Sequence, residues 1–148
     1  MKLLIKKGTT SKSILVFIQD SSKTDGSGLT GLVFNSAGLT AYYVHPGGSA
    51  TAITLATQTV TGTYSSGGFV EISSSNMPGW YRLDLPHAVL ATGADEAGVH
   101  LKGAANMAPL PIEVQLVSFD PNDAAGLGLS NLDAAVSSRL ATAGYTAP

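Results

Sequence analysis

The residues that commonly perform catalysis or bind metals are present in this sequence but lie far apart. The three histidines are His45, His87 and His100, and no two have the two- or four-residue spacing that brings imidazoles onto one metal ion. Asp84 and Glu71 could be imagined as the carboxylate pair of a glycosidase, but both fall at outward positions of predicted strands. No nucleophile, base and orienting acid form a recognisable motif. We therefore expect no enzyme, no catalytic residues and no metal site.

Two short polar stretches resemble ligand-binding loops only in composition. Residues 26–28 are Gly-Ser-Gly, without the preceding strand and the Lys-Ser/Thr pair of a phosphate-binding loop. Asp20 and Asp25 lack the alternating aspartates and the terminal glutamate of a calcium loop. Both stretches are interpreted as turns, and we expect no cofactor.

Aromatic side chains make a better case for binding. Trp80, Tyr42, Tyr43 and Tyr64 could form a platform on one face of a sheet, on which sugar rings would stack. Aromatic residues of a small β-domain also fill its core. A core role and a glycan-stacking role therefore both stay open for these four residues.

The composition excludes several classes of partner. Charged residues make up 12% of the chain and the net charge is −2, so no basic patch is available for nucleic acid. The absence of cysteine excludes disulfides and thiolate metal sites. No stretch approaches the roughly 20 apolar residues of a membrane span. Residues 1–7 are too short an apolar run for a signal peptide and are predicted to form a strand.

The stretch that organises the chain is 79–86, which alternates at the period of a strand. Trp80, Arg82 and Asp84 fall on one side, and an apolar set falls on the other, which predicts a core face. That set is Tyr81, Leu83 and Leu85. Pro86 removes the next ladder donor and ends the strand. Tyr81 is a candidate for the tyrosine-corner role of immunoglobulin domains.

Further short strands are predicted on both sides of this stretch. Residues 12–20 are almost continuously apolar, which favours a central strand covered on both faces. Residues 29–34 and 39–44 are joined by a tight connection and should form an antiparallel hairpin. Residues 112–119 alternate cleanly with Ile112 inward, and 86–91 predict one helical turn. The other predicted strands are 50–56, 57–63, 69–72 and 99–102.

Many short strands with almost no helical periodicity before residue 128 predict an all-β, antiparallel β-sandwich over 1–120. Residues 121–128 are a predicted linker, and 129–148 a short C-terminal amphipathic helix with Ser130 as its N-cap. Its apolar stripe is Leu129, Leu132, Val136 and Leu140. The stripe either packs back on the sandwich or mediates self-association, and self-association is the simpler interpretation because so short a helix is marginal alone.

Several motifs together resemble a known family. They are KGTTS at 7–11, GLTGL at 28–32, AYY at 41–43, GGFVEI at 67–72 and GWYRLDLP at 79–86. They are similar to the immunoglobulin-like domain near the N-terminus of tail-fibre and baseplate proteins of tailed bacteriophages. LDAAVSSR at 132–139 resembles the helical segments that open fibre shafts in those proteins.

This resemblance implies an immunoglobulin-like sandwich that attaches to other virion structural proteins, and a helix that gathers copies into a homo-oligomer, with a trimer favoured. It implies a location in the virion, at the capsid, tail fibre or baseplate, after assembly in the host cytoplasm. The chain stops at Pro148 without a long shaft or tip, so we expect either a short adaptor or decoration protein or the N-terminal part of a longer fibre. The edge of the strand at 1–7 could add to a neighbour's sheet.

Overall fold

The computed structural model describes residues 2–120, and the part up to Val117 forms one compact unit. Within this part the fold is all-β: nine strands and one short 3-10 helix at His87–Leu90, with no α-helix. The strands are β1 Lys2–Lys6, β2 Ser13–Phe17, β3 Thr40–Val44, β4 Thr51–Ile53, β5 Ala56–Thr57, β6 Gly68–Ser73, β7 Met77–Asp84, β8 Glu96–Lys102 and β9 Leu110–Val117.

The linker and helix predicted for 121–148 lie outside the described residues, as does the whole stripe of Leu129, Leu132, Val136 and Leu140. These remain predictions. Among residues 2–120, no helix is both long and apolar enough to cross a membrane.

The strands form two sheets around one hydrophobic core. The larger sheet has the order β1-β9-β8-β3-β4 and the smaller one β2-β7-β6-β5. The expectation of a purely antiparallel arrangement was wrong, because β1 pairs parallel with β9 and β5 parallel with β6. Parallel neighbours need a long connection between them. Almost the whole domain separates β1 from β9, and the loop at 58–67 separates β5 from β6.

β7 is an interior strand of the smaller sheet, between β2 and β6. Its inner face is apolar, as the alternation of its residues predicts. Tyr81, Leu83 and Leu85 are fully buried in the core. The Tyr81 hydroxyl donates to the Leu29 carbonyl at 2.6 Å and accepts a longer bond from the Leu32 amide at 3.3 Å. Tyr81 therefore ties a distant loop to the core. It does not form a tyrosine corner. A corner tyrosine lies near the start of the second-to-last strand, which here is β8, whereas Tyr81 is in β7.

Three strand predictions were wrong. Residues 57–63 contain only Thr57 of β5, and the rest belong to the loop at 58–67. Residues 29–34 form no strand, because Leu29 and Leu32 bury their side chains and bond Tyr81 instead of a ladder. β3 accordingly pairs with β4 and β8. β2 lies at the edge of its sheet, and Leu15 is 51% exposed while Val16 is buried. An apolar run alone cannot distinguish a strand covered on both faces from an edge strand.

Other elements lie where the sequence places them. β9 covers most of the predicted strand 112–119, and its alternate residues Ile112, Val114 and Leu116 are buried. The predicted helical turn at 86–91 is the 3-10 helix, with Val89 and Leu90 inside. These core faces position the outward residues of both sheets.

Candidate functional site

Asp84 lies at the centre of a buried polar network on the outer side of the smaller sheet. Its side chain is fully buried, although the sequence places it at an outward position. One carboxylate oxygen accepts from Ser13 Oγ at 2.6 Å and from Arg82 Nε at 2.8 Å. The other accepts from Gln58 Nε2 at 2.7 Å, Ser65 N at 2.9 Å and Arg82 Nη2 at 3.0 Å. The carboxylate is saturated with donors from its own chain.

Arg82 extends this network to the loop at 58–67. Its Nη1 donates to the Gly62 carbonyl at 2.7 Å and the Val60 carbonyl at 3.1 Å. Burial by itself would raise the pKa of Asp84, but the hydrogen bonds from Arg82 and its other donors outweigh burial and hold the pKa below its ordinary value. The network fixes the loop over the sheet and offers no free acid or base.

Glu71 does not pair with Asp84. It lies opposite the buried Tyr81 in the register of β6 and β7, on the inner face, whereas Asp84 is on the outer face. Its Oε2 accepts from the Gly31 amide at 3.0 Å, and its Oε1 is buried without a partner among the described residues. Burial, reinforced by the Glu71 charge and opposed by the Leu32 amide, raises the pKa of Tyr81 to about 12. The two carboxylates cannot act as a glycosidase pair.

The histidines are dispersed, and two of them have partners within the chain. His45 Nε2 lies 3.0 Å from the Val89 carbonyl. His87 Nε2 accepts from the Ser11 amide at 3.0 Å. His100 lies on the outer face of the larger sheet, opposite the exposed Tyr42. In residues 2–120, no group of three histidine, aspartate or glutamate side chains could hold a metal ion.

The four aromatic residues do not share one face, so the expected common platform is not formed. Tyr42 and Tyr43 are on β3 of the larger sheet, whereas Trp80 is on β7 of the smaller one. Tyr43 is half-buried and meets His45 edge-on. Tyr64 stacks on a histidine ring at 5.3 Å, and its hydroxyl donates to a backbone carbonyl at 2.7 Å. Trp80 and Tyr42 remain as separate candidates on two surfaces.

The first surface, here called the Trp80 patch, consists of Leu15, Phe17 and Trp80 on the outer face of the smaller sheet. Phe17 lies opposite Trp80 in register, and their ring centroids are 5.8 Å apart. Leu15 is two residues from Phe17 on the same face and is 51% exposed. These three side chains are contiguous, and contiguous apolar surface marks contact sites for partners more often than isolated apolar side chains do.

The second surface, here called the Gly98 groove, crosses the outer face of the larger sheet. Its volume is about 340 Å³. Gly98 lies opposite Val44 on β3 and opposite Glu113 on β9, so a position without a side chain separates these two. Further groove residues are Tyr42, His100 and Pro111. Sequence reasoning missed this groove because the strand was predicted to begin at 99, where glycine marks a strand boundary.

The chain therefore presents two candidate binding surfaces and a structural polar network. No protein-family model, curated protein or solved structure matches it.

Proposed function

We propose that this chain is a structural protein of a tailed-phage particle, a tail-fibre, baseplate or capsid attachment protein of the adaptor or decoration type. Its β-domain docks on other virion structural proteins, and residues 129–148 form a helix that joins copies into a homo-oligomer, with a trimer favoured. The role is adhesion without catalysis, and the location is the virion, assembled in the host cytoplasm.

The observation that carries this proposal is the exposure of large apolar side chains on the outer faces of both sheets. Leu4 is 53% exposed on β1, Leu15 51% on β2, and Tyr42 and Val44 each 37% on β3. Regular strands hold these side chains in fixed positions, and rigid apolar surfaces suit protein contacts. The saturated Asp84 network is consistent with a building block, since it rigidifies the domain without offering a reactive group.

The strand order supports the immunoglobulin-like part of the proposal. If β2, β3, β4, β6, β7, β8 and β9 are named B, C, C′, D, E, F and G, the neighbours B-E-D and G-F-C-C′ follow from the observed sheets. These are the neighbours of a variable-type immunoglobulin sandwich, in which F and G pair with C and C′. The cysteine pair of antibody domains is missing.

The free edge of β1 supports a docking role as well. β1 ends the larger sheet and pairs only with β9 among the described strands. Its other edge presents backbone donors and acceptors to which a partner's strand could add. Lys2 and Lys6 flank this edge, and lysines at an edge discourage indiscriminate pairing. The edge is therefore suited to a selected partner.

Location is tested on intact particles of the phage that encodes this chain. Immunogold labelling with an antibody raised against the β-domain is expected to decorate one defined position, at the capsid, tail fibre or baseplate. Gold confined to free protein, with intact particles unlabelled, would refute a virion role.

Self-association is tested by light scattering on the full chain and on a variant that ends at residue 127. The full chain is expected to have the mass of a trimer and the shortened variant that of a monomer, because the variant lacks the apolar stripe. A monomeric full chain, or a trimer that survives the truncation, would remove the proposed role of the helix.

A second candidate function is carbohydrate binding for host-surface recognition, favoured by the Trp80 patch, where two half-buried rings lie together on the outer face of the smaller sheet. Trp80→Ala is expected to lower the affinity for any saccharide found on a glycan array by about tenfold or more, since sugar rings stack on indole. Leu15→Ala, which removes a neighbouring apolar side chain that is not aromatic, is the matched control. An array without any signal would eliminate this candidate.

A further inference from the structure

Gly98 occupies a position where the backbone does not require glycine. It lies within β8, the central strand of the larger sheet, and its φ angle is outside the left-handed region. A Cβ atom added there would meet only Val44 Cγ1, at 3.5 Å, which is an ordinary contact. Glycine weakens the interior of a strand and often marks a close approach by a ligand or another chain. The glycine leaves a gap between the side chains of the neighbouring strands. We therefore expect a group from a binding partner to fill this gap.

The two walls of the gap differ in chemistry. Val44 and Tyr42 form an apolar and aromatic wall on β3, and Glu113 forms a carboxylate wall on β9. Val44 and Glu113 are two strand spacings apart, about 10 Å between backbones. One slender side chain fits between them.

Charge indicates which side chain fits. Neither the Glu113 nor the Glu96 carboxylate makes a hydrogen bond or ion pair with another described residue. Glu96 is two residues before Gly98 on the same face of β8 and lines the continuation of the groove. Lys2 lies opposite Glu113 in register, on the side away from Gly98, and forms no ion pair with it. A purely apolar occupant would leave the Glu113 carboxylate desolvated and unpaired.

We propose that the Gly98 groove binds an arginine side chain of a partner protein, with the guanidinium stacked on Tyr42 and paired with the Glu113 carboxylate. A planar guanidinium stacks on aromatic faces and matches a carboxylate with two donors, which lysine cannot do. This inference rests on the proposed docking on virion proteins and names the chemistry of the residue that is docked.

The test uses the full isotope-labelled chain and two peptides, acetyl-Gly-Arg-Gly-amide and its citrulline counterpart, which has the same shape without the charge. The arginine peptide is expected to cause saturable NMR shifts at the amides of Gly98, His100 and Glu113, with a Kd on the order of 1 mM. The citrulline peptide should bind at least about tenfold more weakly.

Three variants make the site specific. Glu113→Gln is expected to weaken arginine binding about tenfold by removing the charged acceptor. Gly98→Val should abolish it by filling the gap. Gly93→Val is the matched control and should bind as the unaltered chain does, because a Cβ atom added at Gly93 would meet no atom within 4 Å and its φ is not left-handed. Thermal unfolding of each variant verifies that it is folded.

Any of four results would overturn the inference. These are equal binding of the two peptides, shifts away from the groove, no saturation at concentrations on the order of 10 mM, and binding that survives Gly98→Val. Shifts at the groove caused by methyl glycosides and not by the arginine peptide would reassign it to carbohydrate. Immunogold on particles is independent of these outcomes: decorated particles without arginine binding refute only this inference, and arginine binding with unlabelled particles refutes only the virion role.

Discussion

Asp84 and Arg82 form a buried ion pair whose hydrogen-bonding groups are used almost entirely within the chain. Arg82 bonds both Asp84 oxygens and the carbonyls of the loop at 58–67, while Ser13 and Gln58 complete the carboxylate shell. A buried pair adds little net stability relative to an apolar replacement, but removing one partner leaves the other uncompensated. The pair therefore determines the position of the loop more than the total stability.

Replacing Asp84 by asparagine is expected to lower the free energy of unfolding by about 3 kcal/mol, because the Arg82 guanidinium loses its counter-charge in a nearly dry site. Urea unfolding followed by tryptophan fluorescence measures the change. Glu113→Gln, at an exposed and unpaired carboxylate, should change it by less than about 0.5 kcal/mol. A loss below about 1 kcal/mol for Asp84→Asn would contradict the account of this network.

The outward direction of Asp84 could be predicted from the period of its strand, but its burial could not. The cover comes from Gln58 and Ser65, which are far away in the sequence and belong to a stretch predicted partly as a strand. Similarly, the positions of Tyr42 and Trp80 on strands were predictable. Their separation on two sheets depends on long-range pairing that no local pattern encodes.

At the scale of elements, Gly79 lets β7 pass a neighbouring loop at very short distance. Its φ is +83°, and a Cβ atom added there would lie 2.4 Å from the Gly28 Cα and 2.9 Å from the Ile18 carbonyl oxygen. The Ile18 amide bonds the Gly79 carbonyl at 2.8 Å. Two glycines facing each other thus join the end of β2, the following loop and β7 in one contact.

Gly79→Ala is expected to destabilise the domain by at least about 2 kcal/mol, because the left-handed φ and the backbone clash act together. Gly93→Ala should stay within about 1 kcal/mol of the unaltered chain, because the added Cβ atom would meet no atom within 4 Å and the φ is not left-handed. Thermal unfolding of the three proteins measures the difference. Equal effects of the two substitutions would show that the contact at Gly79 relaxes.

Strands in which apolar and polar residues alternate strongly could be predicted from the sequence. Segments whose conformation depends on contacts with distant side chains could not. β9 follows directly from Ile112, Val114 and Leu116 at every second position. Residues 29–34 have a similar apolar content, but Gly31 adopts a φ of +82° and the Tyr81 hydroxyl replaces a ladder partner. A tertiary hydrogen bond from a residue 52 positions away leaves no local signal.

For the molecule as a whole, one core joins the two sheets while charge is sparse at the surface. Val99 and Ile112 of the larger sheet share that core with Val16 and Leu83 of the smaller one. Four ionised aspartates contribute to the dependence of stability on pH at the acidic end. Each of Asp20, Asp25, Asp84 and Asp95 has a pKa below its ordinary value because of hydrogen bonds to its carboxylate.

A carboxyl whose pKa is lower in the folded state contributes stability above its unfolded pKa and loses it as the pH falls through the folded pKa. The free energy of unfolding is therefore expected to fall as the pH drops below about 4. Asp84 should contribute most, because Asp25 and Asp95 are exposed and Asp20 is only half-buried, so that solvent screens all three. Urea unfolding at a series of pH values measures this, and Asp84→Asn should flatten the curve. If the free energy of unfolding of Asp84→Asn fell equally steeply with pH, groups other than Asp84 would be responsible for the loss of stability.

The parallel pairing of β1 with β9 determines how the domain responds to tension. A pull on the amino end of β1 and on the carboxyl end of β9 acts along the strands in opposite directions, so that the pairs from Lys2 with Glu113 to Lys6 with Val117 are sheared together. Evenly spaced bonds in a parallel ladder share such a load, whereas a ladder peeled from one end breaks bond by bond. We therefore expect the β1–β9 ladder to resist such a pull more strongly than a ladder that is loaded from one end.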